Sequence, residues 1–192
     1  VQTCALPISI SVAFFTDHGI HAALAADPAA AVAGNTLPSQ GRIVAGQGSI
    51  QSSGAALTVR QTSPTLSATW QSFNIGRDAT VRFEQPGASA VAVNRVTGGG
   101  QASQILGNLS ANGRVFVVDP AGVVIGKTAR VDVGGLVASS LDVTADGSDG
   151  GRYVMTGGAE RGAGRNLGEI AAKEGGFVTL VAPQVANDGA IR

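Results

Sequence analysis

Short apolar runs separated by turn residues recur along the chain from Thr36 onward. β-branched residues and alternating apolar and polar residues are typical of strands, and four early runs carry this pattern: residues 41–46, 57–60, 80–83 and 91–94. Glycine, serine, proline and aspartate, which favour turns, lie between the runs. No segment has the helical period that a βαβ crossover needs. The pattern predicts an all-β protein.

A regular repeat indicates how these strands are arranged. An Asn-x-Gly-x-Ile motif begins at position 166 and again at position 187. Positions 112–120 and 175–183 are also similar, and their separation is three times that of the asparagine motif. Strands and turns at a period of about 20 residues predict the stacked coils of a parallel β-helix, with asparagine at corners bonded along ladders of equivalent residues.

The central segment fits this solenoid. Asp119-Pro120-Ala121-Gly122 matches a type I turn, which favours Asp first, Pro second and Gly fourth. The turn separates residues 115–118 from 123–125, and both runs are apolar throughout, as in strands buried on both faces. Trp70 and Phe73 are interpreted as packing near the N-terminal end of the solenoid, in preference to an exposed aromatic patch.

Composition and charge exclude other classes of protein. Charged residues make up 14% of the chain and the net charge is zero, with 13 scattered basic residues, so no nucleic-acid partner is expected. No run reaches the roughly 20 apolar residues of a membrane-spanning helix. The single cysteine, Cys4, cannot form an internal disulfide bond.

The N-terminal residues are interpreted separately from the body of the chain. The codons that residues 1–8 imply resemble a sequencing-adapter oligonucleotide, and our hypothesis is that these residues are a cloning or assembly artefact. Residues 9–33 are apolar and alanine-rich and include Ala23-Leu24-Ala25, a small-x-small pattern. They are interpreted as the remnant of a signal peptide, and a disordered or helical extension is the alternative.

Five motifs in one order carry a family resemblance. Residues 70–76, 81–86, 94–97, 110–123 and 133–141 together resemble the N-terminal secretion domain of filamentous-haemagglutinin-like exoproteins. These exoproteins are the two-partner secretion substrates of Gram-negative bacteria. The resemblance covers residues 36–192. It implies a right-handed single-stranded parallel β-helix, with short extra-helical strands or hairpins, that is exported through the periplasm and threaded unfolded through an outer-membrane β-barrel transporter.

The resemblance also implies where the transporter's periplasmic recognition modules bind. The family has an Asn-Arg-Val-Thr-like motif and an Asn-Pro-Asn-Gly-Ile-like motif. The second is matched only in part, because both asparagines are replaced while the Pro and Gly of the turn remain. The predicted recognition residues are Asn94, Arg95, Val96 and Thr97, and Asp119, Pro120, Ala121, Gly122 and Val123. Asn94 has two readings that remain open, a buried corner residue or a transporter contact.

On this reading the domain is not an enzyme, needs no cofactor or metal and nucleates the folding of a longer β-helix. The chain stops directly after a repeat, at Arg192, so we expect it to be part of a larger exported adhesin at the cell surface or outside the cell. Host-cell or glycan receptors would then bind the C-terminal regions. The alternatives are a carbohydrate-active β-helix enzyme and the export domain of a haemolysin or of a contact-dependent toxin.

Three patterns suggest chemistry, and each has a structural explanation. Residues 121–128 nearly match a phosphate-binding loop, but their β-branched residues favour a strand, with Lys127 at a solvated corner. Asp142, Asp146 and Asp149 could suggest calcium, but their spacing favours a polar hairpin or loop. A carbohydrate-active β-helix enzyme would need paired acids, for which Asp119 and Asp132 are candidates. The only histidines, His18 and His21, lie in the leader.

Overall fold

Three sheets run along a solenoid of about five turns, in a computed structural model that describes residues 9–13, 32–143 and 153–192. The first sheet contains β1 (Ser9–Ala13), β2 (Arg42–Ala45), β5 (Thr65–Trp70), β7 (Val91–Val96), β10 (Arg114–Val118), β13 (Gly135–Ser139) and β18 (Phe177–Val181). The second contains β8 (Ser103–Ile105), β11 (Val123–Ile125), β16 (Gly164–Asn166) and β19 (Val185–Asn187).

The third sheet contributes the remaining strand of each coil. It contains β3 (Gly48–Ser53), β4 (Ala56–Gln61), β6 (Thr80–Glu84), β9 (Asn108–Ala111), β12 (Arg130–Val133), β17 (Glu169–Ala172) and β20 (Ala190–Ile191). Strands of successive coils pair in parallel in all three sheets. The described residues contain no helix, and therefore no helix that could cross a membrane. The predicted all-β parallel solenoid is confirmed.

Inward side chains stack in rows across the coils and form the core. One row on the third sheet joins six strands in register: Leu57, Val81, Leu109, Val131, Ile170 and Ile191. The first five of these are at most 4% exposed, so each coil buries its apolar face on its neighbours. This row supports the view that no single coil holds a core of its own.

The N-terminal end of the solenoid is closed by antiparallel strands. β2 pairs with β5 through a bulged register, and β3 pairs with β4 as a hairpin. Trp70 and Phe73 lie beneath this end, at most 1% exposed, with their rings edge to face at 5.5 Å. The predicted packing role of these two aromatic residues is confirmed.

The repeat is confirmed for the asparagine motif. The longer spacing between positions 112–120 and 175–183 does not correspond to three coils, so that part of the prediction is wrong. Asn166 pairs in register with Asn187, and the Asn166 Nδ2 donates to the Asn187 Oδ1 at 2.7 Å, as an asparagine ladder requires. Positions 115 and 178 also share a register, but only two coil steps separate them. The second of these steps, from Leu136 to Val178, is twice the ordinary length because that coil contains an insertion.

The insertion lengthens the fourth coil and occupies positions 142–161. Val118 pairs with Ser139, one ordinary coil further along the chain, whereas Val123 pairs with Gly164, almost twice as far along. Inside the insertion, β14 (Asp142–Val143) pairs antiparallel with β15 (Met155–Thr156). The predicted extra-helical hairpin is therefore present, while Asp146 and Asp149 lie outside the described residues.

The hairpin covers the outer face of the first sheet. Apolar residues point outward there and form a second cluster, separate from the core: Val91, Val93, Phe116, Val118, Val137 and Val143, with Tyr153, Met155 and Phe177 against them. The Phe116 and Tyr153 rings meet edge to face at 4.7 Å. β10 is consequently buried on both faces, as its unbroken apolar sequence predicts.

The predicted N-terminal segments lie mostly outside the described residues. Residues 1–8, assigned to an artefact, and residues 14–31 of the leader, with both histidines, are among these. Within the leader, β1 pairs in parallel with β18, with Ser9 opposite Phe177. The signal-peptide interpretation stays a prediction.

Replacing Leu136 with alanine tests the stacked core. Leu136 is fully buried and lies in register between Val115 and Val178. We expect Leu136→Ala to lower the free energy of unfolding by about 2–5 kcal/mol, because a cavity remains in a close-packed row. Urea unfolding, followed by the fluorescence of the single Trp70, measures this. The control is Val44→Ala, at a side chain that is 54% exposed, and equal effects of the two variants would contradict the stacking.

Candidate functional site

Register brings the two predicted recognition motifs side by side. Asn94 pairs with Val117 and Arg95 pairs with Val118, so the segment that begins at Asn94 lies next to residues 117–120 in the following coil. Both segments then leave the first sheet at the same corner of the solenoid. Motifs that are separated by about one coil in sequence therefore form one continuous surface at that corner.

Asn94 is buried inside the solenoid, in the middle of β7. Its inward neighbours along the strand, Ala92 and Val96, both belong to the core. The Trp70 Nε1 donates to the Asn94 Oδ1 at 3.0 Å, and the Asn94 Nδ2 donates to the carbonyls of Phe116 and Ala92 at 3.2 and 3.3 Å. The side chain thus links three coils and satisfies its own polar atoms, as a buried amide must.

Asn94 is buried, as one of its two readings has it, but it lies within β7 and not at a corner. Ala68 and Val117 occupy its place in the neighbouring coils, so it belongs to no asparagine ladder. The physical reason for an asparagine here is the buried indole of Trp70, which needs an acceptor. The sequence offered no signal for this pairing, because the two residues lie in different coils.

Arg95 points outward and fastens the insertion to the second coil. Its Nη2 donates to the Val143 carbonyl at 2.6 Å, its Nε donates to the Asp142 Oδ1 at 3.3 Å, and its Nη1 donates to the Ser67 Oγ at 2.9 Å. The guanidinium fork suits such a set of fixed acceptors. The side chain is 29% exposed, so these contacts are partly shielded from water.

Val96 and Thr97 complete the first motif at the corner. Val96 belongs to the core, and Thr97 donates to the Trp70 carbonyl both from its backbone N–H, at 2.8 Å, and from its Oγ1, at 3.2 Å. Every polar side chain of the motif therefore has a partner within the folded chain.

The second motif forms the predicted turn. The Gly122 N–H donates to the Asp119 carbonyl at 2.8 Å, which closes a β-turn, and the Ala121 N–H donates to the Asp119 Oδ1 at 2.9 Å. Gly122 has a φ of 111°, a conformation that favours glycine, and Val123 begins β11 with its side chain buried. Pro120 lies at the tip of the turn and is exposed.

Asp119 is a buried carboxylate that joins neighbouring coils. Its Oδ2 accepts the Ser103 N–H at 2.9 Å and the Ser103 Oγ–H at 2.6 Å. Burial raises the pKa of Asp119 above its ordinary value, and the hydrogen bonds from Ser103 and Ala121 partly oppose that rise. Two oxygens accept three donors here, which one amide oxygen could not do in the same orientation. This explains an aspartate at a position where the family motif has asparagine.

A shallow depression of about 230 Å³ lies where the two motifs meet. Its walls come from three coils and include Gln71, Asn74, Val96, Gly98, Ser103 and Asp119. Gln71, Asn74 and Asp119 have amide or carboxylate side chains, whose atoms can form hydrogen bonds with the backbone of an extended peptide.

The two candidate acids of an enzyme do not converge. Asp132 faces a separate groove of about 470 Å³ on the third sheet, beside Arg82 and Lys173, whereas Asp119 lines the depression between the motifs. Over residues 32–143 and 153–192, no three His, Cys, Asp or Glu side chains could together hold a metal ion. Residues 121–128, which nearly match a phosphate-binding loop, contain β11 and a following turn in which Lys127 is exposed, as predicted.

Comparison with known proteins identifies the family. The model of the TPS secretion domain, the domain of two-partner secretion, matches residues 29–192. The chain belongs to this family. The recognition of the family from the five ordered motifs is therefore confirmed. This family is one of secretion domains and is not an enzyme family.

Curated relatives of the TPS domain are much longer than this chain. A heme/hemopexin-binding protein of Haemophilus influenzae is 39% identical over 163 residues, which cover 81% of this chain and 18% of that protein. A second protein with that name, from the same species, is 43% identical over 100 residues, which cover 52% of this chain and 11% of that protein. The chain spans less than a fifth of either relative.

A solved structure shares the fold of the TPS domain. The crystal structure of the HMW1 secretion domain from Haemophilus influenzae matches with a TM-score of 0.71 and 28% identity. The match covers 80% of this chain and 41% of that one.

The pH dependence of stability tests the burial of Asp119. The pKa of Asp119 is raised in the folded state above its ordinary value of 3.8. Asp119 therefore contributes most to stability at a pH below 3.8, and this contribution is lost as the pH rises through the folded-state pKa. An asparagine at this position does not titrate. We therefore expect the stability of the wild type relative to Asp119→Asn to fall as the pH rises from below 3.8 toward neutrality. Urea midpoints of both proteins across that range measure this, and a constant or growing difference would contradict it.

Removing the Asn94 amide tests its role in the core. Asn94→Ala leaves the buried Trp70 N–H without its acceptor, and we expect the free energy of unfolding to fall by about 1–3 kcal/mol. Asn108→Ala, at an exposed position of β9, is the control and should change it by less than about 0.5 kcal/mol. Urea unfolding gives both values. Equal midpoints for the two variants would show that the amide does not hold the coils together.

Proposed function

We propose that this TPS domain is the export signal of a larger surface or extracellular protein and that its two motifs carry the signal. TPS domains are recognised by an outer-membrane transporter, and their exoproteins cross the outer membrane. Our proposal adds that the transporter's periplasmic modules bind residues 94–97 and 119–123. The observation that carries it is that folding buries the polar side chains of both motifs or bonds them within the chain, so they are free for a partner only before folding.

The form of the chain that the transporter binds follows from burial. In the folded domain Asn94 is 0% exposed, and Arg95 and Thr97 already donate to partners within the chain. In an extended chain the same side chains are free to bond a partner. We infer that the periplasmic modules bind an extended segment, because only Thr97 and Pro120 of the nine motif residues are exposed after folding. A chain without internal disulfide bonds is suited to this route.

The activity of the whole protein is proposed to lie beyond this domain. The matched relatives are named heme/hemopexin-binding proteins, and the shared part is at most 18% of their length. This favours a cargo that binds a ligand or a host receptor at the cell surface, as an adhesin does, over a haemolysin or a toxin. The domain would deliver such a cargo and nucleate its β-helix without catalysis of its own.

Transporter-dependent release tests the function. Residues 32–192 are placed behind a working signal peptide and expressed with and without the cognate transporter. We expect release into the medium only with the transporter, and about tenfold less release for Pro120→Ala, if the lost contact is worth one factor of ten in affinity. Purified Pro120→Ala should remain folded, because losing a turn proline changes stability by about 0.4–1 kcal/mol.

The matched control is Lys127→Ala, an exposed residue of the next turn along the chain. Its release should equal that of the unaltered domain. Release that does not need the transporter would contradict the proposed function. Equal release of the Pro120 and Lys127 variants would contradict the assignment of the turn.

A further inference from the structure

The two motifs contact the two ends of the insertion, residues 142–161. At its start, Arg95 binds the Asp142 carboxylate and the Val143 carbonyl. At its end, the Gly162 N–H donates to the Pro120 carbonyl at 2.9 Å, and the Val123 N–H donates to the Ala163 carbonyl at 3.2 Å. The insertion therefore leaves the solenoid against one motif and returns to it against the other.

Asp142 and Gly162 each have a specific chemical reason to be there. The Asp142 Oδ1 accepts the Val143 N–H at 2.7 Å as well as the Arg95 guanidinium, so it shapes the first residues of the hairpin. A Cβ atom on Gly162 would overlap the Ala121 carbonyl oxygen, so this position has no room for a side chain. Both residues lie outside the family's two motifs.

We propose that Asp142 and Gly162 are positioning residues of the export function, because they are the points at which the two motifs fasten the insertion once the chain has crossed the membrane. This proposal rests on the proposed function. In the periplasm the motifs are extended and bind the transporter. Outside the cell the same residues close the hairpin over the outer face of the first sheet.

The distance along the chain between Arg95 and Asp142 keeps the transporter-bound state from overlapping in time with the folded, fastened state. Arg95 and Asp142 are 47 residues apart, which is about 150–170 Å of extended chain. A bilayer with its headgroups is about 40–45 Å thick. When Arg95 reaches the outside, Asp142 is still on the periplasmic side of the membrane. The first motif thus remains unfastened throughout its passage.

Fastening also completes the apolar packing of the first sheet. Val93, Phe116 and Val137 form an outward row in register, and the hairpin residues Val143 and Met155 belong to the cluster that covers it. Until the insertion closes, this row faces water, which is unfavourable for apolar surface. Closure of the insertion therefore favours the exported, folded state.

A charge exchange tests the fastening at the first end. The purified variants Arg95→Asp and Asp142→Arg should each be cut by trypsin after Arg161 about tenfold faster, because hydrogen bonds to a charged group are lost. The double variant should return to within about threefold of the unaltered rate, since the pair is restored. Exchanging Arg130 and Glu169, an exposed pair on the third sheet, is the control and should leave cleavage unchanged.

The second end is tested independently by Gly162→Ala. We expect it to speed cleavage after Arg161 and to lower release, whereas Gly87→Ala, where a Cβ would meet nothing within 4 Å, should change neither. Release by cells that contain the transporter is measured for every variant. Asp142→Arg and Gly162→Ala, which leave both motifs unaltered, should lower release.

The outcomes for the inference and for the proposed function are distinguishable. Release of the unaltered domain with and without the transporter tests only the proposed function. If the unaltered domain is released through the transporter but Asp142→Arg and Gly162→Ala match their controls, the inference is overturned. Failure of the double exchange to recover the unaltered cleavage rate would overturn it equally.

Discussion

The in-register stacking of inward side chains is the interaction on which the rest of this structure depends. Each coil contributes short strands whose apolar side chains are buried only when the neighbouring coils are present, as the row through Val81, Leu109 and Val131 shows. Such a core grows by one coil at a time and contains mostly contacts between neighbours. A chain that emerges progressively from a pore can therefore fold as it emerges, without waiting for distant segments.

The two motifs make a different kind of contact. Asn94 bonds across three coils, Asp119 joins the turn to Ser103 of the preceding coil, and Arg95 reaches residues that follow 47 and 48 positions later. Buried amides and carboxylates of this kind are stable only when every partner is in place. The same side chains can thus serve as recognition groups in an extended chain and as fasteners in a folded one.

Those features that arise from local patterns could be predicted from the sequence. The β-branched runs predict the strands, the sequence Asp119–Gly122 predicts the turn, and the asparagines at positions 166 and 187 predict a ladder. The predicted number of coils between positions 115 and 178 was wrong, because an insertion of nearly one coil length mimics a further repeat. The partners of Asn94 and Arg95 could not be predicted, since they depend on which coils become neighbours and on where the insertion returns.

Binding to the transporter's isolated periplasmic part tests the central claim most directly. A peptide of residues 90–125 carries both motifs in extended form, whereas the refolded domain holds their side chains in internal hydrogen bonds. We expect tighter binding of the peptide than of the folded domain when both are titrated under the same conditions. Equal binding, or tighter binding of the folded domain, would show that the transporter recognises the finished solenoid and would contradict the account.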